Sequence, residues 1–193
     1  MKNELPLPIL APPGAGIPAV ERFFANLMVH WKAKRTGREE SAANFERERV
    51  EILTLVNGVP NEVLPKRVLI RRLPGLEDSS RYWSVLMTLD HLRIVNQQIA
   101  EVVAALGEGR VPTGEASTAA VKPREGVDSS VIGAFDETCR EFQRVTAATP
   151  SLVTPVRFAH PWFGLLDGAG WHFMAAFHMG LHRGQILRIL AGV

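Results

Sequence analysis

Two histidines near the end of the chain, His178 and His182, are four residues apart. In an α-helix, residues at positions i and i+4 lie on one face with their side chains next to each other. Two imidazoles placed in this way can bind one metal ion from a rigid scaffold. A third histidine, His91, lies far upstream on another predicted helix. Three histidine ligands leave one coordination position open, which is how proteins usually hold a catalytic zinc ion.

The same residues also have a purely structural explanation. The chain contains six histidines, so a pair four residues apart also arises by chance. A single histidine such as His91 is more often a core residue with satisfied hydrogen bonds than a metal ligand. His178 and His182 lie among apolar residues of the predicted last helix, so we expect them to point into the protein. A buried imidazole needs a hydrogen-bond partner or a metal, and the spacing alone leaves both interpretations open.

Two polar residues are expected to support the histidines without binding the metal themselves. Gln185 follows His182 by three residues. It shares the same helix face, so it can orient an imidazole or a bound water. Asp90 directly precedes His91, and we assign it the same supporting role.

The other histidines and the cysteine have less specific patterns. His160 begins a compact loop, residues 160–164, and is the candidate for acid–base chemistry or substrate contact if that loop folds over the metal. His30 lies at the basic end of the first predicted helix, where the helix dipole favours a positive charge. His172 lies off the row of the histidine pair and is predicted to be on the surface. Cys139 is interpreted as a packing residue.

The composition is that of an ordinary globular protein. Of the 193 residues, 46% are hydrophobic and 22% are charged, which is enough chain for one domain with a good core. The formal net charge of +2 and the lack of a long basic run argue against nucleic acid as a partner. A single cysteine excludes an internal disulfide and a thiolate zinc site and fits a cytoplasmic location. Prolines interrupt the apolar N-terminus and no stretch is long enough to span a membrane, so we predict neither a signal peptide nor membrane insertion.

Apolar residues at spacings of three and four predict helices in most of the chain. Residues 1–16 are rich in proline and glycine and predict an extended N-terminal arm. The predicted helices cover residues 17–37, 41–57, 78–106, 128–148 and 167–191. Side chains that can accept a hydrogen bond from the first helical turn are expected to cap four of them. These expected caps are Ser41, the Asp78-Ser79-Ser80 cluster, Asp128 and Asp167.

The first two predicted helices and the last one carry patterns that concern packing. The first has an apolar stripe of Ile17, Val20, Phe24, Leu27 and Trp31. The second can turn Phe45, Val50, Leu53 and Val56 inward. In the last helix, Gly180 and Gly184 are one turn apart. Glycine is unfavourable inside a helix, so we expect these two to permit close packing within the protein or across a dimer.

The segments between the helices predict loops. Residues 59–77 contain several prolines and cannot form one helix. Within them, residues 68–70 can form a short extended piece, although the sequence shows no partner strand. A polar connection is predicted over residues 107–126 and a proline-marked loop over 150–161. The whole pattern predicts an all-α fold, a four-helix bundle with an extended arm and long loops, forming one domain over residues 17–193.

The histidine motifs resemble those of a known family. The sequence His-Met-Gly-Leu-His-Arg-Gly-Gln-Ile at residues 178–186 is similar to the last-helix motif of the DinB-like, or YfiT-like, superfamily of metalloenzymes. Asp-His-Leu at residues 90–92, after Trp83, resembles the second-helix histidine motif of that superfamily. Residues 160–164, before Trp171, are similar to a His-Pro-aromatic-x-Gly loop found in some branches. The similarity covers most of the chain from about residue 17 onward.

The resemblance implies a four-helix bundle that binds a divalent metal, zinc or nickel, through His91, His178 and His182. It also implies a homodimer. Characterised branches include transferases and isomerases that use a low-molecular-weight thiol, so it implies a small-molecule substrate and such a thiol as a partner. Hydrolysis at the open metal position is a second possible activity. The alternative is a non-catalytic helical dimer whose metal site is structural or vestigial.

Overall fold

The computed structural model describes residues 9–193. Within them, the helices are α1 (Ala19–Ala33), α2 (Arg38–Asn57), α3 (Val85–Gly107), α4 (Ser130–Ala148) and α5 (Gly168–Leu190). Four of these helices form a bundle: α3 packs against α4 and α5, and α2 packs against α5 and α4. The remaining helix, α1, precedes the bundle and packs against α5. The prediction of an all-α fold and a four-helix bundle is confirmed.

The beginnings of the helices show which capping predictions hold. Asp167 caps α5 as expected, because its Oδ1 accepts a hydrogen bond from the Gly170 N–H at 2.9 Å. Asp128 was predicted to cap α4, but the cap position is Ser129; the Asp128 Oδ1 still accepts a hydrogen bond from the Ser130 N–H at 2.8 Å. Ser41 was wrong as a cap, since α2 begins one turn earlier, at Arg38.

The predicted start of α3 was also wrong. Asp78–Ser80 forms a single 3-10 turn, and α3 begins only at Val85. Ser84 is the true cap, since its hydroxyl accepts a hydrogen bond from the Met87 N–H at 3.1 Å. The capping chemistry of the serines was recognised, but a short strand follows the 3-10 turn and delays the helix.

Two small sheets, which were not predicted from the sequence, lie before α3 and before α5 in the chain. Strand β1 (Val68–Leu69) pairs with β2 (Tyr82–Trp83) in antiparallel register. Strand β3 (Phe158–His160) pairs with β4 (Gly164–Leu166) as a hairpin directly before α5. Strands of two or three residues are too short to show the alternation that marks a strand in sequence. The extended piece at residues 68–70 was predicted, but its partner was not.

The hydrophobic core lies between α2, α3, α4 and α5, while α1 has little of its apolar surface inside. Phe45 of α2, Phe135 and Phe142 of α4, and Ile186 of α5 are fully buried. The prediction that Val50 faces inward was wrong, because it is 46% exposed. The apolar stripe predicted for the first helix does lie along α1, but most of its side chains are exposed. Ile17, just before α1, is buried, but Val20, Phe24, Leu27 and Trp31 are 52–70% exposed.

Gly180 of α5 permits a close approach of α2. A Cβ atom at Gly180 would lie 3.5 Å from the carboxyl carbon of Glu48. In that position Glu48 accepts a hydrogen bond from Nε of Arg183, with a donor–acceptor distance of 2.6 Å. The close packing expected at this glycine therefore occurs inside the bundle.

The domain division into residues 1–16 and 17–193 stays a prediction, and residues 1–8 of the arm lie outside the described residues. Among residues 9–193, no helix is both long enough and apolar enough to cross a bilayer.

Candidate metal centre

Three imidazoles from two helices meet in the bundle. His91 comes from α3, and His178 and His182 come from α5. The Nε2 atom of His178 lies 3.2 Å from Nε2 of His91 and 3.0 Å from Nε2 of His182. The three potential ligand atoms all lie within 4.8 Å of one another. The structure therefore brings together the three histidines that the sequence singled out, in a cluster that could hold a metal ion.

The hydrogen bonds of the outer ring nitrogens determine which nitrogens carry protons. Nδ1 of His91 lies 2.6 Å from the Val121 carbonyl oxygen. Nδ1 of His182 lies 2.6 Å from Oε1 of Gln185, whose own amide nitrogen donates to the Ser80 carbonyl at 2.7 Å. These oxygens can only accept, so both Nδ1 atoms carry the hydrogen. The Nε2 atoms of both neutral rings are then unprotonated, with lone pairs directed at the centre of the cluster.

This arrangement of lone pairs fits a metal ion. Both lone pairs lie 3.0–3.2 Å from Nε2 of His178, a separation that is favourable only when a cation or a proton lies between the nitrogens. Nitrogens bound to one tetrahedral zinc are roughly 3.3 Å apart, given the usual zinc–nitrogen bond length. The observed separations agree with that value to within a few tenths of an ångström. Nδ1 of His178 has no hydrogen-bond partner among the described residues, so His178 is the least constrained of the three rings.

Burial keeps all three imidazoles neutral, which is the form that binds metals. Burial lowers the pKa of His91 to about 4, although the hydrogen bond to Val121 opposes this. Burial, and then the neighbouring histidines, hold the pKa of His178 well below its usual range. The pKa of His182 is lowered in the same way, with Gln185 opposing. At neutral pH the cluster therefore offers three neutral nitrogen donors.

Trp83, from β2, covers the side of the cluster. Its ring centroid lies 5.1 Å from that of His91 and 6.2 Å from that of His182, with which it stacks at 11°. Trp83 entered the sequence analysis only as part of the family motif. Its position depends on the β1–β2 pairing, so no local signal could have placed it against the histidines.

Gln185 and Asp90 support the cluster in different ways. Gln185 is fully buried and contacts His182 directly. Asp90 is also fully buried, but its carboxylate accepts hydrogen bonds from Arg93 on its own helix and from the Arg124 backbone N–H at 3.0 Å. Arg124 follows the histidine partner Val121 by three residues. Asp90 therefore acts on His91 through the connection that supplies the Val121 carbonyl, and not through the ring itself.

Glu77 joins the segments around the cluster. It is 4% exposed, and its carboxylate accepts from Lys122 Nζ at 2.5 Å and from the Thr118 hydroxyl at 2.9 Å. It also accepts from the Gly16 backbone N–H at 3.2 Å. Glu77 could not be singled out from the sequence, because a single glutamate in a loop has no pattern. In the structure it ties residues of the N-terminal arm to the α3–α4 connection.

His160 lies in the hairpin and lines the same cavity as the three histidines. Its ring stacks on Phe163 with centroids 4.6 Å apart. Its Nδ1 accepts a hydrogen bond from the Trp162 N–H at 3.1 Å, so the neutral ring carries its proton on Nε2. Burial lowers the pKa of His160 to about 4.

Two other histidines and the cysteine lie away from the cluster. His30 was expected only to interact with the helix dipole, but it also makes a specific contact, because its Nε2 lies 2.8 Å from the Phe163 carbonyl oxygen. The surface prediction for His172 was wrong: it is 2% exposed and lies against Phe142 of α4. The beginning of α5 is covered on several sides. A residue there can therefore be buried even when it does not share a helix face with His178 and His182. Cys139 is fully buried in the core, as expected for a packing residue.

A large cavity lies in front of the histidine cluster. Its volume is about 1210 Å³, and all three histidines contribute to its lining. Other parts of the wall come from α1, from α3 and from the connection between α3 and α4. Ligand pockets usually measure about 300–1,000 Å³, so this space can hold more than a single small molecule.

Comparison with known proteins identifies the family. Residues 31–186 match the profile of the DinB superfamily. The chain belongs to the DinB superfamily. The fold is similar to the crystal structure of TT2238, a four-helix bundle protein, with 22% sequence identity and a TM-score of 0.57. That match covers 78% of this chain and 98% of the other. A comparison with curated proteins found no match.

Proposed function

We propose that this DinB-superfamily protein is a metal-dependent enzyme. His91, His178 and His182 would hold one divalent metal, zinc or nickel, with an open coordination position towards the cavity. The observation that carries this proposal is that Nε2 of His178 lies 3.0–3.2 Å from Nε2 of both His91 and His182, with the outer nitrogens of those two rings fixed by carbonyl oxygens. When bound there, the metal would lower the pKa of a thiol or a water and so supply a nucleophile at neutral pH.

Among the described residues, no cysteine lies beside the cluster. Cys139 is the single cysteine, and burial raises the pKa of its thiol. It pairs with Asn96 in the core and takes no part in the cavity wall. We therefore propose that the thiol comes from solution. The cavity has room for two small molecules, which favours transfer to or from a low-molecular-weight thiol over simple hydrolysis.

His160 is suited to hold the substrate rather than to take its proton. With a pKa of about 4 it is a neutral imidazole at neutral pH. Since its Nδ1 is occupied by the Trp162 N–H, its Nε2–H remains to donate a hydrogen bond. We propose that this group orients a carbonyl or another acceptor of the electrophilic substrate.

A thiol assay separates the transferase from the hydrolase. We propose to load the protein with zinc or nickel and to supply 1-chloro-2,4-dinitrobenzene with cysteine, glutathione, bacillithiol or mycothiol. The sulfur would form a bond to the ring carbon, chloride would leave with the bonding electrons, and the thiol proton would pass to solvent. We expect turnover with at least one thiol, and at least a 100-fold loss in His182→Ala.

The control is His172→Ala, which removes a buried histidine of the same helix that lies outside the cluster. It should retain activity. The protein would be a hydrolase rather than a transferase if it hydrolysed a p-nitrophenyl ester without any thiol and showed no thiol transfer. The absence of both activities in fully metal-loaded protein would favour the non-catalytic dimer.

A further inference from the structure

The cavity in front of the histidine cluster has a wall that is polar at the histidines and at the mouth and mainly apolar between them. We propose that it binds a large, predominantly apolar organic molecule, such as one with a long alkyl chain or fused aromatic rings, which presents one polar group to the metal. The direction of that polar group rests on the proposed function. The apolar character of the ligand rests on the wall alone.

The buried part of the wall is built mainly from hydrophobic side chains. Phe158, Trp171 and Met174 line the cavity, and all three are buried. Ile99 and Val102 of α3 contribute further apolar surface. A ligand that fills this space removes apolar area from water along its whole length.

The charged groups of the wall do not favour a highly charged ligand. Among the described lining residues, the buried Glu77 is paired with Lys122 at 2.5 Å. Glu21 is paired with Arg72 at 2.6 Å. The other charged side chains of the wall, Glu101, Arg110 and Glu115, are exposed at the mouth. In the apolar part of the cavity, away from the proposed metal, a phosphate or a polycarboxylate would meet no free cation from these residues, so its desolvation there would be uncompensated.

Part of the apolar wall comes from a segment outside the residues that match the family. Ile17 and three apolar α1 residues, Phe24, Ala25 and Met28, line the cavity, whereas the match to the family begins at residue 31. Two hydrogen bonds between Glu21 and Arg72, at 2.6 and 3.1 Å, hold this helix in place. Phe24 is 62% exposed, so the apolar wall reaches the surface at the mouth. Helix α1 therefore extends the apolar wall towards the mouth and favours a longer apolar ligand.

A series of alkyl hydroxamates tests the proposal, because the hydroxamate group binds metal and the chain length can be varied. We propose to measure the Kd of acetohydroxamate, hexanohydroxamate and decanohydroxamate for zinc-loaded protein by calorimetry. Each fully buried methylene group increases affinity about fourfold. Since the chain is only partly enclosed, we expect a total gain of at least about 100-fold from two to ten carbons.

Variants of the wall show where the chain binds. Met28→Glu in α1 and Val102→Glu in α3 place a charge in the wall on two different elements. Each should reduce the gain from the longer chain at least tenfold and leave the acetohydroxamate affinity unchanged. Val153→Glu is the matched control, since Val153 is 75% exposed and outside the cavity, and it should behave like the wild type.

The outcomes separate this proposal from the proposed function. Acetohydroxamate binding with no dependence on chain length would overturn the apolar ligand and leave the metal site in place. The neutral fluorescent probe N-phenyl-1-naphthylamine should bind to both wild type and His182→Ala, because it needs no metal. If this probe binds but no hydroxamate does, the apolar cavity is supported and the metal-dependent function fails. If the probe does not bind, the cavity proposal is overturned.

Discussion

Gln185 holds the ring of His182 by a chain of two hydrogen bonds. Its Oε1 accepts from His182 Nδ1 at 2.6 Å, and its amide nitrogen donates to the Ser80 carbonyl at 2.7 Å. The second bond prevents the amide from rotating and offering its nitrogen to the ring. The tautomer of His182, and hence the availability of its Nε2 lone pair, therefore depends on a residue outside the cluster.

The variant Gln185→Met tests this dependence, because it preserves side-chain length and removes both hydrogen bonds. We expect zinc affinity to fall about 10–100-fold, measured by competition with a chromophoric chelator. Gln97→Met, at an exposed position of α3, should leave the affinity unchanged. Equal zinc affinity in Gln185→Met and wild type would show that the amide does not orient the ring.

The buried His172 should make the free energy of unfolding depend on pH. Burial lowers its pKa to about 4 in the folded protein, whereas an unfolded chain has a value of about 6.5. Between these values the unfolded state binds more protons, so stability is lost as the pH falls from about 6.5 to about 4. With chelator present, His172→Leu should lose about 2 kcal/mol less unfolding free energy than wild type between pH about 7.5 and pH about 5. Urea unfolding measures this difference, and identical losses in the two proteins would contradict it.

The sequence predicted some residues of the site better than others, for a physical reason. His178 and His182 share a face because a spacing of four is a local property of a helix. Their meeting with His91 followed only from the family resemblance, since it depends on how two helices pack. The hydrogen-bond partners Val121 and Ser80 could not be predicted, because every residue has a backbone carbonyl and only the paths of the loops select these two.

At the scale of elements, Asp90 connects α3 to the segment that leads into α4. Its buried carboxylate accepts from Nη2 of Arg93 at 2.9 Å and from the Arg124 backbone N–H at 3.0 Å. These bonds, with the burial opposing them, lower the pKa of Asp90. Because Val121 lies three residues before Arg124, this anchor also positions the carbonyl that orients His91.

Asp90→Asn removes the charge and weakens this anchor. We expect the unfolding free energy to fall by about 2 kcal/mol and the backbone amides of residues 121–124 to exchange faster in hydrogen-exchange measurements. Glu108→Gln is the control, because its ion pair with Arg110 is largely exposed and contributes little. A decrease in stability with no change in exchange at residues 121–124 would show that Asp90 does not hold this segment.

The elements that the sequence predicted poorly are those whose ends depend on distant contacts. Asp78–Ser80 has strong capping residues, yet it forms a 3-10 turn, because the next residues pair with β1. The cap at Asp167 was predicted correctly because it needs only the Gly170 N–H of its own helix. The local capping residues were sufficient to predict where α5 begins, but they were insufficient to predict where α3 begins.

At the scale of the whole molecule, α1 has an unusual surface. Five large apolar side chains on it are 52–70% exposed: Val20, Phe23, Phe24, Leu27 and Trp31. Exposed apolar patches of this kind mark interaction sites in proteins. The homodimer implied by the family resemblance stays a prediction, and we propose that a second copy of the chain covers this face.

The double variant Leu27→Glu, Trp31→Glu tests the dimer, since charges at both positions oppose burial of the face. We expect a dimer for wild type and a monomer for the variant in sedimentation velocity, with circular dichroism confirming that both are folded. Val153→Glu, with a similarly exposed position away from α1, should remain dimeric. A wild type that is monomeric at all concentrations would contradict the proposal.

The metal content of the purified protein tests the central claim most directly. Protein produced with zinc and nickel in the medium and then dialysed should contain about one divalent metal ion per chain by elemental analysis. His182→Ala should contain little, because two histidines hold the ion much more weakly, whereas His172→Ala should retain the wild-type content. Full metal content in His182→Ala, or none in wild type after addition of either metal, would contradict the assignment of His91, His178 and His182 as the ligands.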